Sequence, residues 1–379
     1  MKKLVEIEGI GMPNKGAELM LYSIVDQLRN RFGEDLPVCC RPRQGFRESY
    51  RLLGSKNILQ SGYLTFKGIP LDGFFNYLPL KLTDTFGIAR EKDVDIVLDA
   101  SGLRYSDSWG PATSRAAVIR YRKLKNRGKK IIMLPQAFGP FKNPEVSTAV
   151  REVVSMSDIC FAREETSYQH LVELCGEDTK IRQAPDFTNL VEPIAGFDGS
   201  KFHGKVIIIP NQRMLDKTDK TVANNYFHYL LNLCKYLISS GEDVMILNHE
   251  GTLDHKICMR LSEACGNIPV ITHWNPVFIK TIIGCCKLLV SSRFHGCVSA
   301  LSQGVPVIAT SWSHKYEMLM KEYGVGDYLV DLSSQVVNTD LVESALQASV
   351  HQRIVSTAHS MKLKSQDMWS EVFNLLATV

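Results

Sequence analysis

No stretch of this 379-residue chain approaches the roughly 18 consecutive apolar residues that a bilayer-spanning helix requires. The opening "MKKLVEIEG" begins with two lysines, as a secretory leader does, but Glu6 and Glu8 interrupt its short apolar part. It reads as a first β-strand, and the expectation is a soluble, cytoplasmic protein. Metal-ligand spacing is also missing. The ten cysteines, at positions 39, 40, 160, 175, 234, 258, 265, 285, 286 and 297, contain no C-x-x-C pair. Several fall inside apolar strand or helix patterns, where a thiol acts as a small hydrophobe, so reduced structural thiols and no metal are expected. Charge of one sign is scarce too, because a net +4 is too mild to indicate nucleic acid. No zinc finger, aromatic RNA motif or basic arm accompanies it, and nucleic acid is not expected as a partner.

Intact nucleotide fingerprints are likewise lacking. The loop "GIGMPNKGAE" (9–18) follows a strand and opens a helix. Gly9-x-Gly11 begins a dinucleotide motif, but Asn14 stands where its third glycine belongs. Gly11 and Gly16 have Walker A spacing, but Ala17 and Glu18 replace the Lys and Ser/Thr. What remains is a glycine-bearing turn at a strand's carboxyl end, where α/β sheets bind ligands. Asn14, Lys15 and Glu18 are placed there to meet a hydroxyl-rich substrate.

What the chain does contain is a strand–helix alternation, twice over. The first series includes "LVEIE" (4–8), a helical pattern over 17–32, "DIVLDA" (95–100), "KKIIMLP" (129–135), "DICFA" (158–162) and helical stretches at 149–157 and 164–176. The second includes "KVIIIP" (205–210), a helix over 226–241, "DVMILN" (243–248), "IPVIT" (268–272), "KLLVSS" (287–292) and "VPVIAT" (305–310). Short, continuously apolar strands between helices indicate parallel sheets covered on both faces. The expected fold is α/β, with two Rossmann-like doubly wound domains: 1–195, then 196–352, with a Pro/Gly-bearing linker at 191–204. A helical segment, 353–379, follows and is a candidate to pack back on the first domain. Only 41–93 lacks the rhythm; basic and aromatic residues mix there as in a surface excursion.

Polar residues gather just beyond the strands. In the first half these are Asp99 and Ser101 after "DIVLD", and Gln136 after "KKIIMLP". In the second half Asn211 and Arg213 follow one strand, and His249 and Glu250 another. Arg293 and His295 follow a third strand, and Ser311, His314 and Lys315 a fourth. Cations collected at the carboxyl ends of neighbouring strands form an anion site. Arg and His oppose the dipole at a helix N-terminus unless an anion lies between them and the exposed N–H groups. The sequence "SSRFHG" (291–296) sets up that situation. Arg293 offers a bidentate fork, and an imidazole such as His295 suits proton transfer near neutral pH.

The stretch "SSRFHGCVSALSQGVPVIATSWSHKYEMLMKEYGV" (291–325) resembles the signature of polysaccharide pyruvyl transferases. So do "NKGAELMLYSIVDQL" (14–28), "LPQAFGPFKNP" (134–144), "DICFAREETSYQHL" (158–171) and "APDFTNLV" (184–191), in that order along the chain. The resemblance implies a GT-B-like architecture with a central cleft. It also implies phosphoenolpyruvate as donor and, as acceptor, a glycan or lipid-linked oligosaccharide of surface polysaccharide synthesis. The product it implies is a pyruvate ketal on two sugar hydroxyls, made without a cofactor. On this resemblance Arg293 and Arg213 bind the donor, with His314, Lys315, Ser292 and Gly296 as further donor-side candidates. His295 is the candidate general acid, and Glu18 and Asp99 are candidate bases. Asn14, Lys15, Ser101 and Gln136 are the acceptor-side candidates.

Two other readings share these residues. One is a GT-B glycosyltransferase with a nucleotide-sugar donor, whose pyrophosphate would use the same cations. The other is a non-catalytic carbohydrate- or phosphate-binding protein. The basic run "RYRKLKNRGKK" (120–130) is a candidate for peripheral contact with anionic lipid at the inner face of the membrane, or else a solvated helix face.

Overall fold

The computed structural model describes residues 3–10, 14–40, 58–60, 65–66, 69–70, 77–85 and 88–377. Most of 41–93, read from the sequence as an irregular excursion, and residues 11–13 lie outside these. The chain divides into two compact units. The first comprises 1–13, 20–187 and 364–379, and the second 14–19 and 188–363. The boundary therefore falls at 187/188, residues 14–19 group with the second unit, and the C-terminal segment divides at 363/364.

In the first unit, strands β1 (Leu4–Glu8), β2 (Val38–Cys40), β3 (Ile58–Gln60), β6 (Ile88–Ala89), β7 (Val94–Asp99), β8 (Lys130–Gln136), β9 (Ile159–Ala162) and β10 (Ile181–Gln183) form one sheet. Its order is β10-β9-β8-β7-β1-β2-β3-β6, and its pairs are parallel. Separately, β4 (Thr65–Phe66) pairs antiparallel with β5 (Ile69–Pro70). The helices are α1 (Lys15–Phe32), α2 (Leu80–Thr85), α3 (Gly110–Lys125), α4 (Pro144–Met156) and α5 (Glu165–Cys175). Val97, Ile131, Met133 and Cys160 of the sheet pack with Tyr121, Leu124, Val150 and Val153 of the helices.

The second unit carries a parallel five-stranded sheet. Its strands are β11 (Val206–Ile209), β12 (Val244–Asn248), β13 (Val270–Thr272), β14 (Leu288–Ser291) and β15 (Val307–Ala309), in the order β13-β12-β11-β14-β15. Its helices are α6 (Arg213–Asp216), α7 (Lys220–Ser239), α8 (Gly251–Ala264), α9 (Pro276–Cys285), α10 (Phe294–Leu301), α11 (Lys315–Glu322) and α12 (Thr339–Ala345). Helix α13 (Ala348–Ala377) follows. Strands β11 and β14 are buried along their whole length, as their unbroken apolar runs require.

Local chemistry sets the helix starts. Asn143 and Asn275 each accept from two backbone N–H groups of the following turn, and a proline, whose missing N–H is not needed there, takes the first helical position. This cap starts α4 at Pro144, ahead of the apolar periodicity that begins at 149. Asp219 caps α7 in the same manner. Seven of the ten cysteines are buried. Among the described residues no helix is long and apolar enough to cross a membrane.

The basic run at 120–130 is largely engaged within the first unit. Arg120 binds Glu6 and Glu8 of β1, and Arg122 binds Glu152. Lys123 meets Glu91 at 3.0 Å, Lys125 meets Asp158 at 2.9 Å, and Lys129 meets Asp95 at 3.1 Å. Arg122 and Lys123 stay about half exposed in these pairs, as on a solvated helix face.

The last turns of α13 hold the first unit through Trp369, whose ring stands edge-on to Phe187 at 6.2 Å and is 1% exposed. Trp369→Ala should destabilise that unit by about 3–5 kcal/mol. Thermal unfolding checks this; an unchanged melting curve would show that the terminal turns contribute nothing to the unit.

Candidate active site

Strand β14 ends at Ser291, whose hydroxyl accepts from the Arg293 N–H at 3.0 Å and donates to the Arg293 carbonyl at 3.1 Å. This closes a tight turn and puts Arg293 at the N-cap of α10 in an extended conformation, without a side-chain cap. The guanidinium instead reaches α8. Its Nε donates to Asp254 Oδ2 at 2.7 Å, Nη2 lies against the same carboxylate, and Nη1 donates to Glu250 Oε2. Glu250 and Asp254 lie four residues apart and so face one way from the start of α8. Asp254 also accepts from the Gln212 N–H at 2.9 Å, which ties the loop after β11 to the same point. Burial pushes both carboxyls above their ordinary values, and the Arg293 charge acts against that shift.

His249, the residue after β12, is 5% exposed, and its Nδ1 has no hydrogen-bond partner. Burial, followed by the nearby charges of Arg293, His295 and Lys15, holds its pKa well below the usual histidine value. The first turn of α1 belongs to this cluster. Asn14 caps it by accepting from the Ala17 N–H at 3.1 Å, and Lys15 pairs with Glu18 at 2.7 Å. Gly16 lies directly against His295: a Cβ added there would stand 2.1 Å from His295 Nδ1. Lys315 opens α11 with its ammonium 4.7 Å from the Trp312 ring centre and 5.0 Å from that of Phe294. His314 precedes it at the N-cap position.

The second unit thus gathers Asn14, Lys15, Glu18, Arg293 and His295 with His249, Glu250 and Asp254. Three expected donor-side residues take other places. The Ser292 hydroxyl is buried against Tyr226 and Thr310, both at 2.7 Å, and its carbonyl accepts from Asn211 and Tyr316. Gly296 lets α10 rest on the sheet, since a Cβ there would meet Ser291 Oγ at 2.7 Å and Ile209 at 3.3 Å. Arg213 is half exposed and pairs with Asp216 at 2.9 Å, yet it lies near enough to act on Glu250 and Asp254.

In the first unit, Asp99 is fully buried, and both its oxygens are engaged. It accepts from the hydroxyls of Tyr105 (2.6 Å) and Tyr121 (2.7 Å) and from the Ser101 N–H (3.0 Å) and hydroxyl. A carboxylate so occupied holds a loop and has no lone pair directed at a substrate proton. Burial and the Asp99 charge push both phenols well above their ordinary pKa. Ser101 is spent on Asp99 and packs on Gly9, while Gln136 is buried beside the Asp99 carbonyl at 3.4 Å.

The sequence shows Glu250 beyond its strand, but not that it faces Arg293, nor that Asp254 joins it. The four-residue spacing of the two acids at a helix start was the available signal.

Two Rossmann-like parallel-sheet units in succession make this a GT-B-like protein. The chain is similar to the UDP-GlcNAc 2-epimerase of Neisseria meningitidis bound to UDP-GlcNAc, with a TM-score of 0.59 and 14% identity over 98% of this chain and 100% of that one. It is similar to a putative UDP-N-acetylglucosamine 2-epimerase of Listeria monocytogenes, with a TM-score of 0.61 and 11% identity over 100% and 97% of the two chains. A sucrose-phosphate synthase of Thermosynechococcus elongatus matches over 100% of both chains, with a TM-score of 0.58 and 10% identity. These likenesses are of fold. The profile of the polysaccharide pyruvyl transferase family matches residues 14–314, and the chain belongs to that family.

Gly16→Ala should displace the His295 ring and lower turnover at least about tenfold, with the fold intact by circular dichroism; full activity would separate His295 from the site. Acid stability gives a second check. The folded pKa of His249 is depressed, so its contribution to stability is fully present above about pH 6.5 and is lost as pH falls toward the folded value, by up to about 1.4 kcal/mol per pH unit. His249→Gln should flatten that part of the melting-temperature profile. An unchanged slope would count against the burial argument.

Proposed function

We propose that this protein transfers the enolpyruvyl group of phosphoenolpyruvate to a sugar of a surface polysaccharide or its lipid-linked precursor, forming a pyruvate ketal. The observation that carries the reading is the Arg293–His295 pair, set by the end of β14 at the N-terminus of α10 inside the matched family region, with His295 resting on Gly16. Asp254 and Glu250 fix the guanidinium rather than quench it. Arg293 has five N–H donors, and its three contacts to those acids leave donors for a phosphate or carboxylate. Lys15 and Lys315 supply further positive charge.

In the reaction His295 gives a proton to the methylene carbon, leaving an oxocarbenium-like C2. One acceptor hydroxyl attacks C2 and returns its proton to the imidazole. Phosphate then leaves C2 and carries away the proton of the second hydroxyl, which closes the ketal. Two hydroxyl protons thus end on the new methyl group and on phosphate, and no metal or cofactor takes part. Glu18, beside Lys15, is the remaining carboxylate candidate for a base. Asp99 acts by holding the loop after β7. Asn14, Lys15, Ser101 and Gln136 remain acceptor-side candidates, with Ser101 and Gln136 the least free to turn toward a sugar.

Calorimetric titration of phosphoenolpyruvate tests the reading. Arg293→Lys keeps the charge facing Glu250 and Asp254 but loses the fork, and should weaken binding at least about tenfold. His295→Gln should bind the donor and not turn over. Binding of UDP or a UDP-sugar with none of phosphoenolpyruvate would replace this reading with a nucleotide-sugar transferase. Equal affinity in the wild type and Arg293→Lys would place the anion elsewhere.

A further inference from the structure

His249 has no task in the scheme above, yet it is the most unusual titratable group in the second unit. Its side chain is almost wholly removed from water, and its Nδ1 lacks a hydrogen-bond partner. Other buried atoms here, such as Arg120 Nε and Asn248 Oδ1, also lack a partner, but His249 Nδ1 is on a ring that can take up a proton beside the cations, and a bound ligand is one standard way of completing such an atom. Its surroundings name the ligand's charge. Lys15 and Glu18 face the cluster from α1, Glu250 and Asp254 from α8, and Arg293 and His295 from the turn and first residues after β14. Lys15 engages Glu18, and Arg293 engages the two acids of α8, so the acidic groups are already used on cations. What acts on His249 itself is positive: Arg293, His295 and Lys15.

We infer that His249 is a proton-accepting ligand of the anion site, so that a phosphate dianion bound among Lys15, Arg293 and His295 enters together with one proton, which His249 takes from solvent. This rests on the reading of the second unit as an anion site and adds to it a linkage between binding and protonation. In the free protein the neighbouring positive charges and the lack of water keep the imidazole neutral. A dianion reverses the sign of the local field, the imidazolium becomes the favoured form, and its N–H donates to a phosphate oxygen. No bond is made or broken beyond the N–H. When the phosphate leaves as product, the proton is released with it, and the empty site is again uncharged at this position.

The test is calorimetric titration of the full chain with inorganic phosphate and, separately, phosphoenolpyruvate. It is run at about pH 8, where the phosphate group of both probes is chiefly dianionic, in two buffers of different protonation enthalpy. The wild type should take up at least about half a proton per ligand bound. His249→Gln should bind more weakly with uptake near zero, and His228→Gln, an exposed histidine of α7, should behave as wild type. Heat that does not depend on buffer, or uptake retained in His249→Gln, overturns the inference. Should His249→Gln fail to fold, His295→Gln decides: persistent uptake keeps the proton on His249, and lost uptake overturns the assignment. Phosphate bound with uptake but phosphoenolpyruvate not bound would sink the donor reading alone. Phosphoenolpyruvate bound without uptake would sink this inference alone, and binding of neither would sink both.

Discussion

The second unit depends on one carboxylate. Asp254 takes the Nε side of Arg293 on one oxygen and the backbone N–H of Gln212 on the other, so three chain segments meet at a single side chain that is almost wholly buried. A buried pair of this kind contributes little net stability, but losing one partner strands the other and costs about 3–5 kcal/mol. Its value here is geometric. Arg293 leads directly into α10, so holding its guanidinium also fixes the direction of the first turn that bears His295.

The first unit handles buried charge differently. Glu6 and Glu8, two residues apart on the central strand β1, share a face and meet Arg120 of α3, while Arg104 reaches Glu8 at 2.8 Å. Asp99, at the end of the neighbouring strand, is saturated by two tyrosines and a serine. These groups build a rigid polar layer beneath the loop after β7. The cluster in the second unit keeps a buried imidazole nitrogen unmatched. The first unit leaves atoms unmatched too, Arg104 Nε and Arg120 Nε, but on guanidinium groups that are already paired with carboxylates.

The fold was legible wherever a strand is covered on both faces, because such a strand must be written as an unbroken apolar run. β8, β11, β12 and β14 carry that signature, whereas β1 and β7 are interrupted by Glu6 and Asp95. Short strands escaped: Val38–Cys40, beside an excursion of mixed composition, Ile58–Gln60 and Ile88–Ala89 within it, and Ile181–Gln183, whose last two residues are exposed. Arg293 and His295 were legible because their position after a strand conflicts with the helix dipole. Asp254 was not, since its importance comes from a partner 39 residues away in sequence. Ser292 and Gly296 looked like ligand groups by adjacency alone. The structure gives both to packing, because the side chains that flank a strand-end turn alternate between the core and the ligand side.

Lys315 rests over Trp312 and Phe294, with its ammonium 4.7 Å from the indole ring centre. An indole's emission responds to a charge held against its face. Trp312, one of four tryptophans at positions 109, 274, 312 and 369, has such a cation over it. Any anion that draws the Lys315 ammonium away therefore changes the colour or intensity of the protein's own fluorescence. The molecule carries an optical reporter at the entrance of α11, readable without a label.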